Sequence, residues 1–278
     1  LRRRIDLESA TDALVDLKFR LGSTQEKHLG DARSALENYR EILSLKPSHD
    51  GARLALETLL TNEDLKADAA GILQGIYEER GDWTKLVGAL EILAAAEGNP
   101  RERVALQRKI ARIGAASLGD YTRAFDAVAA ALREDPALSE TRHEIEQIAE
   151  VSNAWEKLVL LYKEVAEGLN DAQLAREYWL KLGSIDEKLG HVDAAAQAYT
   201  QMLSLDAADA DALAALEALF VRTERWTDLI GVIQRRIEQV FEPEVREQLL
   251  VRTAEIYDQK LARPDEAINA YKKVLELD

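Results

Sequence analysis

Trp83-Thr84-Lys85-Leu86-Val87, Trp155-Glu156-Lys157-Leu158-Val159 and Trp226-Thr227-Asp228-Leu229-Ile230 are three versions of one phrase. The first two start 72 residues apart and the last two 71 (155 − 83 and 226 − 155). A fixed long period means stacked copies of one unit, each too small to bury its apolar face alone. The 278 residues are therefore read as an array in which each unit contacts its neighbours.

A second landmark runs beside the first. Leu29-Gly30-Asp31, Leu118-Gly119-Asp120 and Leu189-Gly190-His191 each follow one helical pattern and precede another, and Leu261-Ala262-Arg263-Pro264 fills the same slot. Glycine past a helix end takes the left-handed conformation that closes it, and the next aspartate caps the following helix. So short a turn folds two helices into an antiparallel hairpin. After each turn comes a stripe of 3.6-residue period: Ala35, Tyr39, Ile42, Leu43; Ala124, Val128, Ala131, Leu132; Ala195, Tyr199, Met202, Leu203; and Ala267, Tyr271, Val274, Leu275. All five prolines (Pro47, Pro100, Pro136, Pro243, Pro264) fall between these patterns, where proline is tolerated. The reading predicts roughly fifteen helices and no strand, an all-α fold.

Composition narrows the function classes. With 47% hydrophobic and 31% charged residues in regular patterns, the chain is no candidate for disorder. A net charge of −15 argues against nucleic acid and anionic membrane surfaces, both of which reward a basic face, and is compatible with a basic partner. No run approaches the ~20 apolar residues that span a bilayer. With no cysteine there is no disulfide or thiolate chemistry, which fits the cytoplasm or a bacterial periplasm. The Ala- and Arg-rich composition points to a bacterial source.

The register has one irregularity. Gly30 to Gly119 is 89 residues, 17 more than the 72 seen elsewhere, so one helix is inserted between 48 and 82. Two alignments compete there. In one, Leu56–Leu60 matches Leu216–Phe220; in the other, Tyr77 and Trp83 match Phe220 and Trp226. The expected divisions are 1–9, a remnant of a preceding helix; 10–97, with the insertion; 98–168; 169–240; and 241–278. They form one solenoid cut from a longer array.

The spacing of Trp179, Leu182, Gly183, Ala195, Tyr199 and Met202 resembles the tetratricopeptide repeat family. Phe19, Ala35, Tyr39 and Pro47 fit the same pattern with Leu21-Gly22 displaced by one residue. Ala124, Ala131 and Pro136 fit with Val128 for the aromatic, and Ala267 and Tyr271 fit with Ala254-Glu255 for Leu-Gly. The resemblance implies a right-handed α-solenoid of antiparallel hairpins whose first helices line a concave groove. It further implies that the protein binds peptides, helices or other proteins and catalyses nothing. Trp179 falls in the family's packing slot. The recurring Trp83, Trp155 and Trp226 read as packing between hairpins rather than stacking platforms.

Chemistry is sparse. His28, His49, His143 and His191 lie in separate units, and Gln147 stands where a zinc helix would need its second histidine after His143. There is no Gly-x-Gly and no Gly-Lys-Ser/Thr phosphate loop, and neither metal nor cofactor is expected. The resemblance places Arg20, Lys27, Lys109, Lys188, Arg252 and Lys260 at groove-facing slots, interrupted by Glu177 and Glu187. With Arg112 these form a candidate basic strip for an acidic peptide; Thr24 stands where the family's peptide clamp has an asparagine. The simpler reading pairs these cations with acids one helical turn away. The expected function is a non-enzymatic interaction scaffold. The alternatives are an architectural arm that self-associates through its ends, and a regulatory domain of an enzyme whose catalytic part lies elsewhere.

Overall fold

The structure is a computed structural model that describes Ile5 and residues 10–277. The expected remnant helix at 1–9 lies outside the described residues. Those described form fifteen α-helices and no strand. The fold is an all-α helical-repeat solenoid. The chain divides into two compact units, Leu1–Asn153 and Ala154–Asp278.

The first unit holds α1 (Thr11–Leu29), α2 (Ala32–Leu45), α3 (Asp50–Leu59), α4 (Lys66–Arg80), α5 (Trp83–Ala96), α6 (Pro100–Ile113), α7 (Tyr121–Glu134) and α8 (Ser139–Ser152). The second holds α9 (Trp155–Gly168), α10 (Ala172–Leu189), α11 (Val192–Leu205), α12 (Ala210–Arg222), α13 (Trp226–Gln239), α14 (Pro243–Glu255) and α15 (Pro264–Leu275). Within each unit every helix packs on the next in chain order. Pro100, Pro243 and Pro264 each sit in the first turn of a helix, where no amide donor is missed.

The turns are punctuated as the residues dictate. Gly30, Gly119 and Gly190 all take positive φ, and Asp31 and Asp120 accept the amides of Ser34 and Arg123. Ala262 occupies the glycine slot at φ 52°, without a glycine's freedom. A second set of left-handed residues stands two positions before each recurring tryptophan: Gly81, Asn153 and Glu224. The turn at Gly81 repeats at Glu224. Asp82 N donates to Tyr77 O at 2.8 Å, as Arg225 N donates to Phe220 O at 2.9 Å. By its closing turn α4 therefore corresponds to α12. By its opening turn it is α3 that does: His49 N bonds Lys46 O just as Asp209 N bonds Asp206 O, both at 3.0 Å. The two competing alignments each describe one end of this stretch.

The first helices of the hairpins end differently from one another. In α10 the closing bond spans five residues, His191 N to Asp186 O at 2.8 Å. After α1, α6 and α14 it spans six: Asp31 N to Gln25 O, Asp120 N to Gly114 O, and Arg263 N to Tyr257 O. The last two run through π-helical turns, Gly114–Leu118 and Ile256–Lys260. The extra residue explains the one-residue displacement of Leu21-Gly22. Counted from the helix interior, Gly22 sits against Tyr39 as Gly183 sits against Tyr199.

The core follows the stripes. Ala35, Tyr39 and Ile42, Ala124, Val128 and Leu132, and Ala195, Tyr199 and Met202 are all buried. The fourth stripe departs from expectation. Ala267 is buried, but Tyr271 is 43% and Leu275 73% exposed. Gly183 admits the ring of Tyr199 to within 2.4 Å of where a Cβ would stand. Ala254 carries that methyl, and Tyr271 stands out. Among the described residues no helix covers the face of α15 that α12 covers on α11.

Candidate interaction surface

The cations of the expected strip are mostly engaged, and rarely with acids one turn away on their own helix. In the first unit Lys109 on α6 reaches Glu78 on α4 at 2.8 Å. Arg112 and Arg108 converge on Glu144 of α8, Arg112 at 3.3 Å and Arg108 through two bonds of 2.8 and 2.9 Å. Arg103 forms a similar fork with Glu134 and also donates to the carbonyl of Glu97. Arg20 pairs with Asp16 on the exposed face of α1, an i, i+4 contact at 3.1 Å. Lys27 is exposed and has no ion pair among the described residues.

In the second unit Arg252 and Arg236 both bind Glu217, at 2.7 and 2.6 Å. The ammonium of Lys260 lies 5.0 Å from the ring centre of Trp226, a cation–π contact. Lys188 is exposed and, like Lys27, has no ion pair among the described residues. Of the seven candidate cations, four are bound to carboxylates of this chain and one to its own indole.

What sequence reasoning missed is the set of half-buried carboxylates that organise these cations. Glu57 accepts from Arg53 at 2.6 Å, Lys85 at 2.8 Å and Tyr77 at 3.0 Å. Burial raises its pKa, but these donors outweigh that and hold it below the ordinary carboxylate value. Burial likewise works against ionised Glu144, and Arg108 then Arg112 lower it by more. The Arg–Glu partners of Glu144 and Glu217 lie 19 to 36 residues away, so no helical spacing announces them. Asp209, 5% exposed, caps α12 through Ala212 N and binds Arg176 of α10. Burial opposes its charge, and the Arg176 guanidinium and the Ala212 amide prevail, lowering its pKa. Tyr39 and Tyr199 donate to Glu26 and Glu187 at 2.7 and 2.6 Å; burial first, then the carboxylate, pushes each phenol well above its usual range.

Asp186 is the exception among the acids. It is 1% exposed and meets His191 Nδ1 at 3.1 Å, and its pKa is raised, because burial outweighs the imidazole. Glu156 meets the other ring nitrogen of His191 at 3.5 Å. His143 pairs with Gln147 at 2.9 Å. No group of three or more metal-ligating side chains occurs among the described residues, and no helix there is long and apolar enough to cross a membrane.

The open grooves among the described residues include two of similar size. One, of about 550 Å³, lies among α5, α6 and α7, and the other, of about 560 Å³, among α13, α14 and α15. Trp83, Trp155 and Trp226 are half-buried, whereas Trp179 is 7% exposed.

A family model described as tetratricopeptide repeat matches residues 177–209 and 248–278. No match was found among curated proteins. Among solved structures, MamA is 21% identical, with 58% of this chain and 90% of that chain covered and a TM-score of 0.34. A tetratricopeptide repeat protein from Parabacteroides merdae ATCC 43184 is 12% identical, with 95% and 93% covered and a TM-score of 0.29. The TPR domain of P58(IPK) is 16% identical, with 94% and 74% covered and a TM-score of 0.29. Residues 177–209 and 248–278 therefore carry the tetratricopeptide-repeat pattern on this array of helical hairpins.

Proposed function

We propose that the chain is a non-enzymatic scaffold that holds a protein or peptide partner on its repeat surface. The observation that carries this reading is the repeat itself. Helical hairpins follow one another through nearly the whole described chain, and several of their ion pairs join one helix to another. Such an array offers an extended surface.

Within this reading the cations divide into two groups. Lys27 and Lys188 are exposed and have no ion pair among the described residues, so a partner's carboxylate meets them with no such pair to break. Lys109 and Arg112 would first have to leave Glu78 and Glu144. The test is isothermal titration of the purified chain with an acidic peptide at two salt concentrations. Lys27→Glu and Lys188→Glu should each weaken binding by severalfold, and added salt should act the same way, since exposed charges are screened within about 10 Å at moderate ionic strength. Lys109→Glu and Arg112→Glu should weaken it less. Binding insensitive to all four substitutions and to salt would rule out the basic strip. Small-molecule turnover by the purified chain would rule out the scaffold.

A further inference from the structure

The two open grooves are the same place in two repeats. Their linings coincide at a constant offset of 143: Glu91 with Gln234, Gln107 with Leu250, and Ala127 with Ala270 (234 − 91, 250 − 107, 270 − 127). The repeat between them answers the same positions with different residues. Counted from the first residue of each helix, Pro100, Ala172 and Pro243, the slot of Gln107 and Leu250 is held there by Trp179. That indole is buried. A buried indole stands at this slot in the intervening repeat, and the smaller side chains of Gln107 and Leu250 stand at it in the other two. Where the chain supplies glutamine or leucine, a groove of about 550 or 560 Å³ stands open.

Both grooves join an apolar floor to an acidic rim. Ile110 and Ala127 floor the first, with Glu91, Asp120 and Asp126 above them and Arg123 as the one cation. Arg123 is already paired with Glu91 at 3.0 Å. Ile237, Leu250 and Ala270 floor the second, with Glu238, Glu266 and Glu276 against Arg246 and Lys273. Carboxylates outnumber cations in each, in a chain of net charge −15.

We propose, building on the scaffold reading, that these two grooves are docking sites for a partner segment that carries an aromatic side chain beside lysine or arginine. The partner's ring takes the place that Trp179 takes in the intervening repeat. The neighbouring cation lays its aliphatic stem on the floor and its charge among the rim carboxylates. Buried aromatic anchors of this kind dominate protein interfaces.

The probe is a short lysine-rich peptide with one central fluorotryptophan, followed by fluorine NMR against the full chain. A saturable shift is expected, absent for the glutamate-rich analogue. Filling the slots from within, by Gln107→Trp together with Leu250→Trp, should weaken the peptide about tenfold or more. Because an added indole can disturb folding, the rim is tested separately. Asp126→Lys with Glu238→Lys, both exposed positions, should weaken the lysine-rich peptide while leaving the circular dichroism spectrum unchanged. No shift with the wild-type chain, or a shift that survives both variant pairs, overturns the proposal. Either result leaves the scaffold reading standing, because that reading is judged by the acidic-peptide titration and the turnover assay.

Discussion

Ala262 sits where the other hairpins place glycine, at φ 52°. A left-handed backbone costs a residue with a Cβ about 1–2 kcal/mol. Ala262→Gly should therefore stabilise the chain by about 1 kcal/mol, less the entropy glycine returns to the unfolded state. Urea unfolding of the variant measures this, and a loss of stability would mean the methyl makes a compensating contact. At Gly183 the expected sign is opposite. An added Cβ would stand 2.4 Å from Tyr199 Cε1, in a packed interior that cannot give way. Gly183→Ala should cost about 1–3 kcal/mol. The same change at Gly22 meets the Tyr39 ring at 2.9 Å and should cost less. The left-handed glycines were legible in the sequence, because glycine at a helix end has one dominant use. Glu224 at φ 56° was not, since glutamate carries no such signal and only its place two residues before Trp226 marks it.

Between elements, the charged contacts act as ties across helices. Arg176 binds Asp209, joining α10 to the start of α12. Asp209 is nearly inaccessible, so losing the charged partner is felt. Asp209→Asn keeps the cap geometry but removes the ion pair, and should cost about 1–3 kcal/mol at neutral pH. The pH dependence has a definite sign. The native pKa of Asp209 lies below its unfolded value, so its contribution is present above the unfolded pKa and lost as pH falls through the native one. The stability gap between wild type and Asp209→Asn should then narrow below about pH 4. A gap constant with pH would mean the pair contributes nothing electrostatic. Asp186, with its raised pKa, works in the other direction: its contribution is full at low pH and fades as pH rises through its native value. Helix positions themselves were readable to within a few residues, because proline, glycine and the apolar period mark the ends. The ties were not, because their partners are set by which helices stack, and the nearest acid in sequence is seldom the one reached.

For the molecule as a whole, each helix stacks on its chain neighbour within each unit, and ion pairs tie alternate helices. Local stacking lets one period carry both the fold and its variations. The repeat type, the helices and three of the four expected core stripes followed from the amino acids alone, because hydrophobic period and turn chemistry are local properties that neighbours cannot easily override. Three things required the tertiary structure. The bulged helix ends shift the register by a residue, and a hydrogen bond spanning six residues rather than five leaves no mark in composition. Three of the seven candidate cations, Lys109, Arg112 and Arg252, turn out to be committed to Glu78, Glu144 and Glu217 on other helices. The grooves lined by Gln107 and by Leu250 are spaces between packed helices, which the sequence of no single helix shows. Sequence fixes what each residue can do along its own helix. Only packing decides which faces meet, and therefore which charges are spent and which spaces stay empty.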